Sequence, residues 1–460
     1  MIDCAAMSPR SLLVPAACTA APMLAQVAPS LQREGCVRLG GVPLLVQTGM
    51  RWLITGLWLG SAAFAAPTFN RDILPVFQKN CQSCHRPGEI GPMPLLTYTE
   101  TRPWAKAIKV EVVMGKMPPW FADPRYGHFA NDRRLSAEDV HQIVSWVDAG
   151  APEGDPKDRP APVVWKNGWN IRPDEIFQMS DPFPVPAKGI LDYIYIVIPT
   201  GFTKDAWVTA AEVRPSAPSV VHHVVVFVRP PGSQWMKGAK PFVPYIPPMS
   251  AAADDPHAKP GMSNEYLAGY SPGNQLERFD IDHSARLIRA GSDIVLQLHY
   301  TPNGKTAMAD RTRVGLTLAE EAPAKLFMDA VAASWNWTIP PGDPNYEAHA
   351  KLTFGDPVEL VSLQPHMHLR GKDMTIRVIY PSGESETLLS VPHYDFHWQI
   401  MYYLKKPLLL PRGTRVEVTA HWDNSAANLQ NPDPTATVRY GVQNTDEMLN
   451  LAMNVVVDPD

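Results

Sequence analysis

The sequence predicts a small all-α domain followed by two tandem antiparallel β-sandwich domains, on the basis of three observations. Short segments of helical period surround a cysteine pair near residue 80. A proline-rich polar stretch at 151–162 then has the composition of a linker. Beyond it, short runs rich in β-branched and aromatic residues alternate with turn sequences. Because no helical run is long enough to alternate with them, antiparallel sandwiches are favoured over a parallel α/β sheet.

Composition and charge narrow the class of protein. The 460 residues are 45% hydrophobic and 19% charged, so a folded core is expected. The net charge is −5 and there is no long basic run, which argues against nucleic acid or an anionic membrane surface as a partner. The 48 prolines favour loops and strand edges over long helices.

Residues 50–66 have the pattern of a secretory signal peptide. Met50 and Arg51 precede an apolar run from Trp52 to Phe64, and two small residues, Ala65 and Ala66, follow it. The run is too short to span a membrane, although a retained anchor is the alternative. We therefore expect export to the periplasm, or secretion, with no membrane span after cleavage. Residues 1–49 are then an over-extended start or an unstructured leader.

Removal of the leader leaves only two cysteines, which lie three positions apart. Cys81-Gln82-Ser83-Cys84-His85 is the C-x-x-C-H pattern of covalent c-type haem attachment. In that reading Cys81 and Cys84 bond to the haem, and His85 supplies one axial ligand to the iron. A redox dithiol or half of a zinc site is the alternative. The absence of a second cysteine pair and of a thioredoxin-like βαβ pattern argues against both.

The flanking segments predict the short helices of a cytochrome c domain over residues 67–152, with the linker at 153–164. Ile73, Leu74 and Phe77 mark an apolar face before the motif. After it, Ser136 is expected to cap a helix that ends before Gly150. That helix has a stripe at i, i+3, i+4 and i+7, which consists of Val140, Ile143, Val144 and Val147.

The second axial ligand of the haem has several candidates. We favour Met117, which stands before Pro118-Pro119 where a cytochrome c carries its loop methionine. The alternatives are Met93, Met114, His128 and His141. His141 follows the stripe residue Val140 and is expected at the surface.

Five histidines occupy suggestive positions in the β region. His366 and His368 are two apart, and in a strand such residues point to one face and can chelate one metal. The adjacent His222 and His223 could serve one ion only through a local bulge or twist. His299 ends an apolar strand, where a polar surface residue is the alternative. From spacing alone each motif is weak evidence for a metal.

The order of the motifs resembles the copper type II ascorbate-dependent monooxygenases, the family of peptidylglycine α-hydroxylating monooxygenase and dopamine β-monooxygenase. The matching motifs are His222-His223, Gln297-Leu298-His299-Tyr300, His366-Met367-His368 and Thr445-Asp446-Glu447-Met448. The resemblance extends over about 165–457 and leaves the haem motif outside. It implies one copper domain over 165–320 and a second over 321–460.

The resemblance implies two copper ions and assigns their ligands. His222, His223 and His299 look like the ligands of an electron-transfer copper. His366, His368 and Met448 look like the catalytic ligands of the oxygen-activating copper, whose thioether favours Cu(I). The implied reaction is hydroxylation of a C–H bond of a small organic substrate by O₂. The electrons would come from ascorbate or a redox protein, or through the fused haem c.

The sequence departs from the family at positions that bear on the substrate. Gln364 stands where the peptide-amidating enzymes have an arginine for the peptide carboxylate, and Ala452 stands where they have a tyrosine. Asn450 is retained, and with Gln364 and Gln297 it is expected to line the substrate cavity. A glycine-extended peptide is therefore not the expected substrate. The mature chain also has no cysteine for the disulfides of the animal enzymes.

Two alternatives to a monooxygenase stay open. One is a periplasmic haem and copper protein for electron transfer or copper binding that has no oxygenase activity, although Met448 argues against a pure relay. The other is a lyase or oxidase built on the same copper frame. The further histidines His393, His397 and His421 are interpreted as structural, and Arg370 as a surface residue.

Overall fold

A computed structural model of the protein describes residues 66–166, 168–246, 261–263, 265–271, 276–441 and 443–459. The predicted leader and all but the last residue of the predicted signal peptide lie outside these ranges. Within the described part, no helix is both long enough and apolar enough to cross a membrane.

The first described segment is helical. Its α-helices are α1 Leu74–Asn80, α2 Tyr98–Thr101, α3 Ala105–Val113 and α4 Ala137–Asp148. A π-helical turn, Phe69–Ile73, leads into α1, and 3-10 turns lie at Arg102–Trp104 and Pro156–Asp158. Ile73, Phe77 and Ile143 are fully buried in one apolar cluster. The helices therefore form around a core of their own.

Helix α4 begins and ends where the sequence predicts. The Ser136 hydroxyl accepts from the backbone N–H of Asp139, whose carboxylate reaches back, which completes a capping box. Gly150 has φ +89°, a left-handed conformation that a residue with a side chain rarely adopts. The helix buries Ile143 together with Trp146, which the apolar stripe did not include, whereas Val144 is only partly buried. His141 is exposed, as expected.

The rest of the described chain is mostly β-strand. The strands up to residue 318 are β1 Glu175–Gln178, β2 Phe183–Val185, β3 Ile194–Pro199, β4 Ala206–Arg214, β5 Val221–Arg229, β6 Gly261–Ser263, β7 Tyr266–Tyr270, β8 Leu276–Arg278, β9 Ser284–Ile288, β10 Asp293–Tyr300, β11 Met308–Asp310 and β12 Arg313–Leu318. Those that follow are β13 Lys325–Ser334, β14 Thr338–Ile339, β15 Tyr346–Thr353, β16 Val358–His366, β17 Gly371–Ile379, β18 Ser385–Val391, β19 Tyr402–Leu410, β20 Arg415–Trp422, β21 Val438–Arg439 and β22 Leu449–Val457.

In the described part of the chain, three larger sheets contain most of these strands, and β2 with β11 and β14 with β21 form two-stranded sheets. A ten-stranded sheet has the order β1-β12-β4-β9-β13-β22-β16-β19, with β6 paired to β13 and β8 to β4. Two four-stranded sheets have the orders β3-β10-β5-β7 and β15-β20-β17-β18. One apolar cluster includes Leu296 of β10 and Leu316 of β12, and another includes Leu360 of β16 and Ile376 of β17. This mostly β architecture with few helices is consistent with the expected β-sandwich region.

The ten-stranded sheet continues across the predicted domain boundary at residue 320. That boundary falls between β12 and β13, but β9 pairs with β13 in parallel, through Lys325 opposite Ser284 and Leu326 opposite Ala285. The side chains of Arg286 on β9 and Asp329 on β13 form a buried ion pair beside this pairing. The strands on either side of residue 320 therefore share one hydrogen-bonded sheet, and the division into two domains stays a prediction.

The segment between α3 and α4 packs against β19. The backbone N–H of Ala130 donates to Tyr403 O at 2.8 Å, and Phe129 forms a β-bridge with Leu404. The Trp120 ring lies 4.9 Å from the Tyr402 ring, edge to face. These contacts join the helical segment to the strand that follows loop 392–401, which reaches the site described next.

Candidate functional site

The first group of histidines lies where β5 pairs with β10. His299 pairs with His223, but the next residue, Tyr300, pairs with Val221, so His222 is the extra residue of a β-bulge. The bulge lets the adjacent pair face one point, which a regular strand would not allow. A ligand nitrogen from each of His222, His223 and His299 lies within 4.8 Å of the others.

The geometry of this group, called the His₃ site below, suits a metal ion. The Nδ1 atoms of His222 and His223 are 3.1 Å apart, close to the spacing of about 3.3 Å for two nitrogens that bind one metal at about 2.0 Å with tetrahedral angles. The His299 Nδ1 atom is buried and, among the described residues, has no hydrogen-bond partner. A bound cation would satisfy such an atom, so the residues present fit the copper that the resemblance implies.

Burial keeps the His₃ imidazoles in the neutral form that binds metals. Burial, with a smaller effect of His397, lowers the pKa of His222 to about 4. Burial and then His222 and His397 lower the pKa of His299 to about 3. Burial also lowers the pKa of His223 well below its ordinary value, and His299 adds to that effect. At neutral pH all three rings therefore offer lone pairs.

The second group consists of His366, His368 and Met448. Strand β16 ends at His366, so His368 lies beyond it, and the expectation that a strand pleat aligns the pair is wrong. The rings nevertheless lie 5.2 Å apart, edge to face. The Met448 side chain is buried immediately before β22, with its sulfur 3.7 Å from Asn450 Nδ2.

Hydrogen bonds orient both imidazoles of this group, called the His₂Met site below. His366 Nδ1 donates to Gln399 Oε1 at 2.9 Å, and His368 Nδ1 donates to the Asp446 carbonyl at 3.2 Å. Because both partners are acceptors, Nδ1 carries the proton on each ring and Nε2 holds the lone pair. Histidine ligands in metal sites are commonly held in this way. The residues present therefore fit copper here as well.

One cavity of about 100 Å³ joins the two sites. Its lining includes His223 of the His₃ site together with His366, His368 and Met448. The residues predicted to contact substrate also line it, namely Gln297, Gln364 and Asn450, as does Ala452. The structure thus brings these predicted residues to one cavity.

Loop 392–401, between β18 and β19, reaches both sites and was not identified from the sequence. Buried Phe396 stacks on His222 at 6.1 Å and meets His368 edge-on at 5.8 Å. His397 lies 5.7 Å from His222, and Gln399 holds His366. The pair His393 and His397 is the signal that the sequence offers, and spacing alone does not separate a cavity-lining role from the structural one given to them above.

The buried carboxylate of Glu447 holds the backbone next to the His₂Met site through hydrogen bonds. It accepts hydrogen bonds from the backbone N–H groups of His368 at 2.8 Å and Arg370 at 2.6 Å, and from Trp422 Nε1 at 2.9 Å. Burial raises the pKa of Glu447 to about 7, although these bonds and Arg370 oppose the effect. Arg370 is 1% exposed and donates to Asn424 and Thr445, so its interpretation as a surface residue is wrong.

The C-x-x-C-H turn has features that suit haem attachment. Cys81 and Cys84 are free thiols, and burial raises the pKa of Cys81 to about 12, unlike the low pKa of a reactive dithiol. His85 Nδ1 donates to the Met93 carbonyl at 3.1 Å, which leaves Nε2 for an axial bond. Met93 packs beside this turn, whereas Met117 is half-buried on the loop after α3, and its role as second ligand stays a prediction.

His421 is not among the lining residues of the cavity. It lies on β20 and contacts side chains on the two neighbouring strands. Its Nδ1 is 2.7 Å from Asp373 on β17, and its Nε2 is 2.9 Å from Glu347 on β15. Burial lowers the pKa of His421, but the hydrogen bonds to the two carboxylates outweigh it and raise the pKa above 6.5.

We expect His421→Gln to lower stability by about 0.5–1 kcal/mol, the range for a partly exposed ion pair, and mainly at acidic pH. Because folding raises this pKa, the stabilisation is complete below the unfolded pKa and is lost as pH rises through the folded value. Urea denaturation of wild type and variant at several pH values measures the difference. A difference that does not shrink at alkaline pH would contradict the assignment.

Comparison with solved structures yields only weak likenesses. The infectious bursal disease virus VP2 subviral particle is 8% identical, with a TM-score of 0.17 over 63% of this chain and 74% of that one. PNGF-II is 9% identical, with a TM-score of 0.23 over 62% and 60%. The empty top component of cowpea mosaic virus is 7% identical, with a TM-score of 0.24 over 58% and 77%. Such scores do not establish a shared fold.

Comparison by sequence gives one clear result. No curated protein matches the chain. Residues 334–453, which carry all three members of the His₂Met site, match the C-terminal domain of the copper type II ascorbate-dependent monooxygenases.

Proposed function

We propose that this protein is a copper-dependent monooxygenase that hydroxylates a C–H bond of a small organic substrate with O₂. The observation that carries the proposal is that the three-histidine group, through His223, and the two-histidine, one-methionine group line the same cavity. The match of residues 334–453 to the family of copper monooxygenases supports it. We further propose two copper domains, 165–320 and 321–460.

The ligand types suit different roles for the two sites, electron transfer at one and oxygen activation at the other. His222, His223 and His299 would hold one copper, and His366, His368 and Met448 the other. Copper supplies the one-electron chemistry with O₂ that amino acid side chains lack. The protein holds neutral imidazoles in fixed orientations, and the Met448 thioether favours the reduced ion.

The cavity lining limits the substrate class. At about 100 Å³ it is smaller than the cavity of about 150 Å³ that accommodates benzene in an engineered protein. Its polar groups include the amides of Gln364, Asn450 and Gln297, which can orient a neutral polar substrate. No arginine or lysine is among the described lining residues, so a carboxylate would find no cationic partner there. These features support a small neutral molecule over a glycine-extended peptide.

We also propose that a haem c bound at Cys81, Cys84 and His85 passes electrons to the copper sites, in an exported, periplasmic protein. The contacts of residues 120–130 with β19 support this, because they hold the helical segment against the strand that leaves loop 392–401. Burial raises the pKa of the cavity residue Tyr270, and the charge of Glu89, four residues after His85, raises it further. Ascorbate or a separate redox protein is the alternative donor.

Metal and haem analysis of the purified exported protein tests the proposal. We expect two coppers and one haem per chain, with one copper lost or weakened in His299→Ala and one in Met448→Ala. The exposed His393→Ala is the control and should keep both. With a turnover substrate, ¹⁸O from ¹⁸O₂ should enter the product. Haem without copper, or zinc in its place, would overturn the monooxygenase and leave an electron-transfer or metal-binding protein.

A further inference from the structure

We propose that His397 is a fourth nitrogen ligand of the copper at the His₃ site, contributed by the C-terminal half of the chain. The inference rests on the proposed function, since it assumes that the His₃ site binds copper. Neither the sequence motifs nor the family match singles out His397. What singles out His397 is the position of loop 392–401 beside the His₃ site.

The His397 ring lies beside His222 of the His₃ site. Its centroid is 5.7 Å from that of His222, at an interplanar angle of 85°. Ring distances within the site are 5.3 Å between His222 and His223, 4.9 Å between His222 and His299, and 5.0 Å between His223 and His299. His397 is thus adjacent to one proposed ligand, and binding to the same metal requires a side-chain rotation that brings one of its nitrogens to the ion.

The loop fixes the backbone on both sides of His397. The His397 N–H donates to Asp395 Oδ1 at 3.0 Å, and the preceding Phe396 is buried between His222 and His368. Two residues later, buried Gln399 donates through Nε2 to the Phe396 carbonyl at 2.8 Å and accepts from His366. Because these anchors belong to the metal sites themselves, His397 keeps its place beside the His₃ site.

The location and chemistry of His397 suit a ligand on the solvent side of the site. His223 and His299 are 7% and 8% exposed, whereas His397 is exposed. The ring of His397 also contributes to the lowered pKa values of both His222 and His299, as expected for a group facing both. Cu(II) prefers four ligands in tetragonal arrangement, so a fourth imidazole would stabilise it relative to Cu(I). The reduced site would then be a stronger electron donor.

The consequence for function is a coupling between the two halves of the chain. Loop 392–401 carries Gln399, which orients His366 of the His₂Met site, and His397, which would bind the copper of the His₃ site. One short loop would thus fix both metals relative to each other. The alternative is that His397 is a surface histidine near the site without a bond to the metal.

Spectroscopy of the full chain with copper confined to the His₃ site tests the inference. The background variant His366→Ala/Met448→Ala removes two ligands of the other site, and one equivalent of Cu(II) is added. Within this background, His397→Ala is compared with His393→Ala, which removes an exposed histidine from the same loop. Pulsed EPR counts the imidazoles on Cu(II), and competition titration gives the affinity.

We expect His397→Ala to lose one imidazole from the pulsed EPR signal and to bind Cu(II) at least about tenfold more weakly, with His393→Ala unchanged. Because position 397 is exposed, added imidazole should restore the spectrum of the parent. Unchanged spectra and affinity in His397→Ala would overturn the inference while leaving the proposed function intact. Failure of the parent and of wild type to bind Cu(II) at the His₃ site would overturn the proposed function itself.

Discussion

Asp329→Ala should lower the free energy of unfolding by about 3–5 kcal/mol, because it leaves the Arg286 guanidinium buried without its carboxylate. Arg286 is 0% exposed and donates through both terminal nitrogens to Asp329, at 2.9 and 2.7 Å. The rings of Phe279 and Phe327 lie against the guanidinium at 5.1 and 5.2 Å. Water cannot replace the lost carboxylate without opening this packing. The penalty is therefore that of taking a buried carboxylate away from a buried guanidinium.

The location of the pair adds to the expected effect. It lies beside the parallel pairing of β9 and β13, where the ten-stranded sheet passes from one half of the chain to the other. Asp329 also accepts from the Tyr266 backbone N–H at 3.1 Å, so the substitution removes a contact with β7. Guanidinium denaturation followed by circular dichroism measures the loss.

An exposed ion pair provides the matched control for Asp329→Ala. Arg278 and Asp280 form a similar contact at 2.6 Å, but their side chains are 59% and 42% exposed. Asp280→Ala should therefore cost no more than about 1 kcal/mol. Equal losses for the two variants would show that burial does not decide the strength of the Arg286 contact. The conservative Asp329→Asn keeps an acceptor, so its loss of stability should lie between those of Asp329→Ala and Asp280→Ala.

Local sequence rules account for much of the helical segment and for part of the site. The Ser136 cap and the stop at Gly150 follow from a few neighbouring residues, and the structure has both. The adjacent His222 and His223 require a bulge to share an ion, and the register of β5 on β10 has it. In each case the residues that determine the local structure lie within a few positions of one another or on two paired strands.

The features that the sequence did not reveal depend on distant partners. His368 lies beyond β16, where pleat geometry no longer applies, and its backbone is held by Glu447, which is 79 positions away. Arg370 has the composition of a surface residue, yet its buried partners come from residues 424 and 445. Loop 392–401 has no periodic pattern at all. Such positions become interpretable only when the strand order is known.

Glu447→Ala should destabilise the protein by about 3–5 kcal/mol and weaken copper at the His₂Met site by about 10–100-fold. The substitution removes the acceptor for three buried donors: the backbone N–H groups of His368 and Arg370 and the indole of Trp422. It also removes one of the three carboxylates whose charges act on the buried Arg370, the others being Asp433 and Asp446. Denaturation of the copper-free protein and titration with copper measure the two effects separately.

Glu447→Gln distinguishes the contribution of Glu447 to the stability of the protein from its contribution to copper affinity at the His₂Met site. Its single carbonyl can still accept, but its NH₂ group faces N–H donors where the carboxylate had a second oxygen. We therefore expect a smaller loss of stability than in alanine, with copper affinity at the His₂Met site still reduced. The exposed Glu384→Ala is the control and should change neither. Wild-type copper affinity in both Glu447 variants would contradict a positioning role. Because Glu447 precedes Met448 and accepts from the backbone N–H of His368, it connects two residues of the proposed His₂Met site that are otherwise distant in the chain.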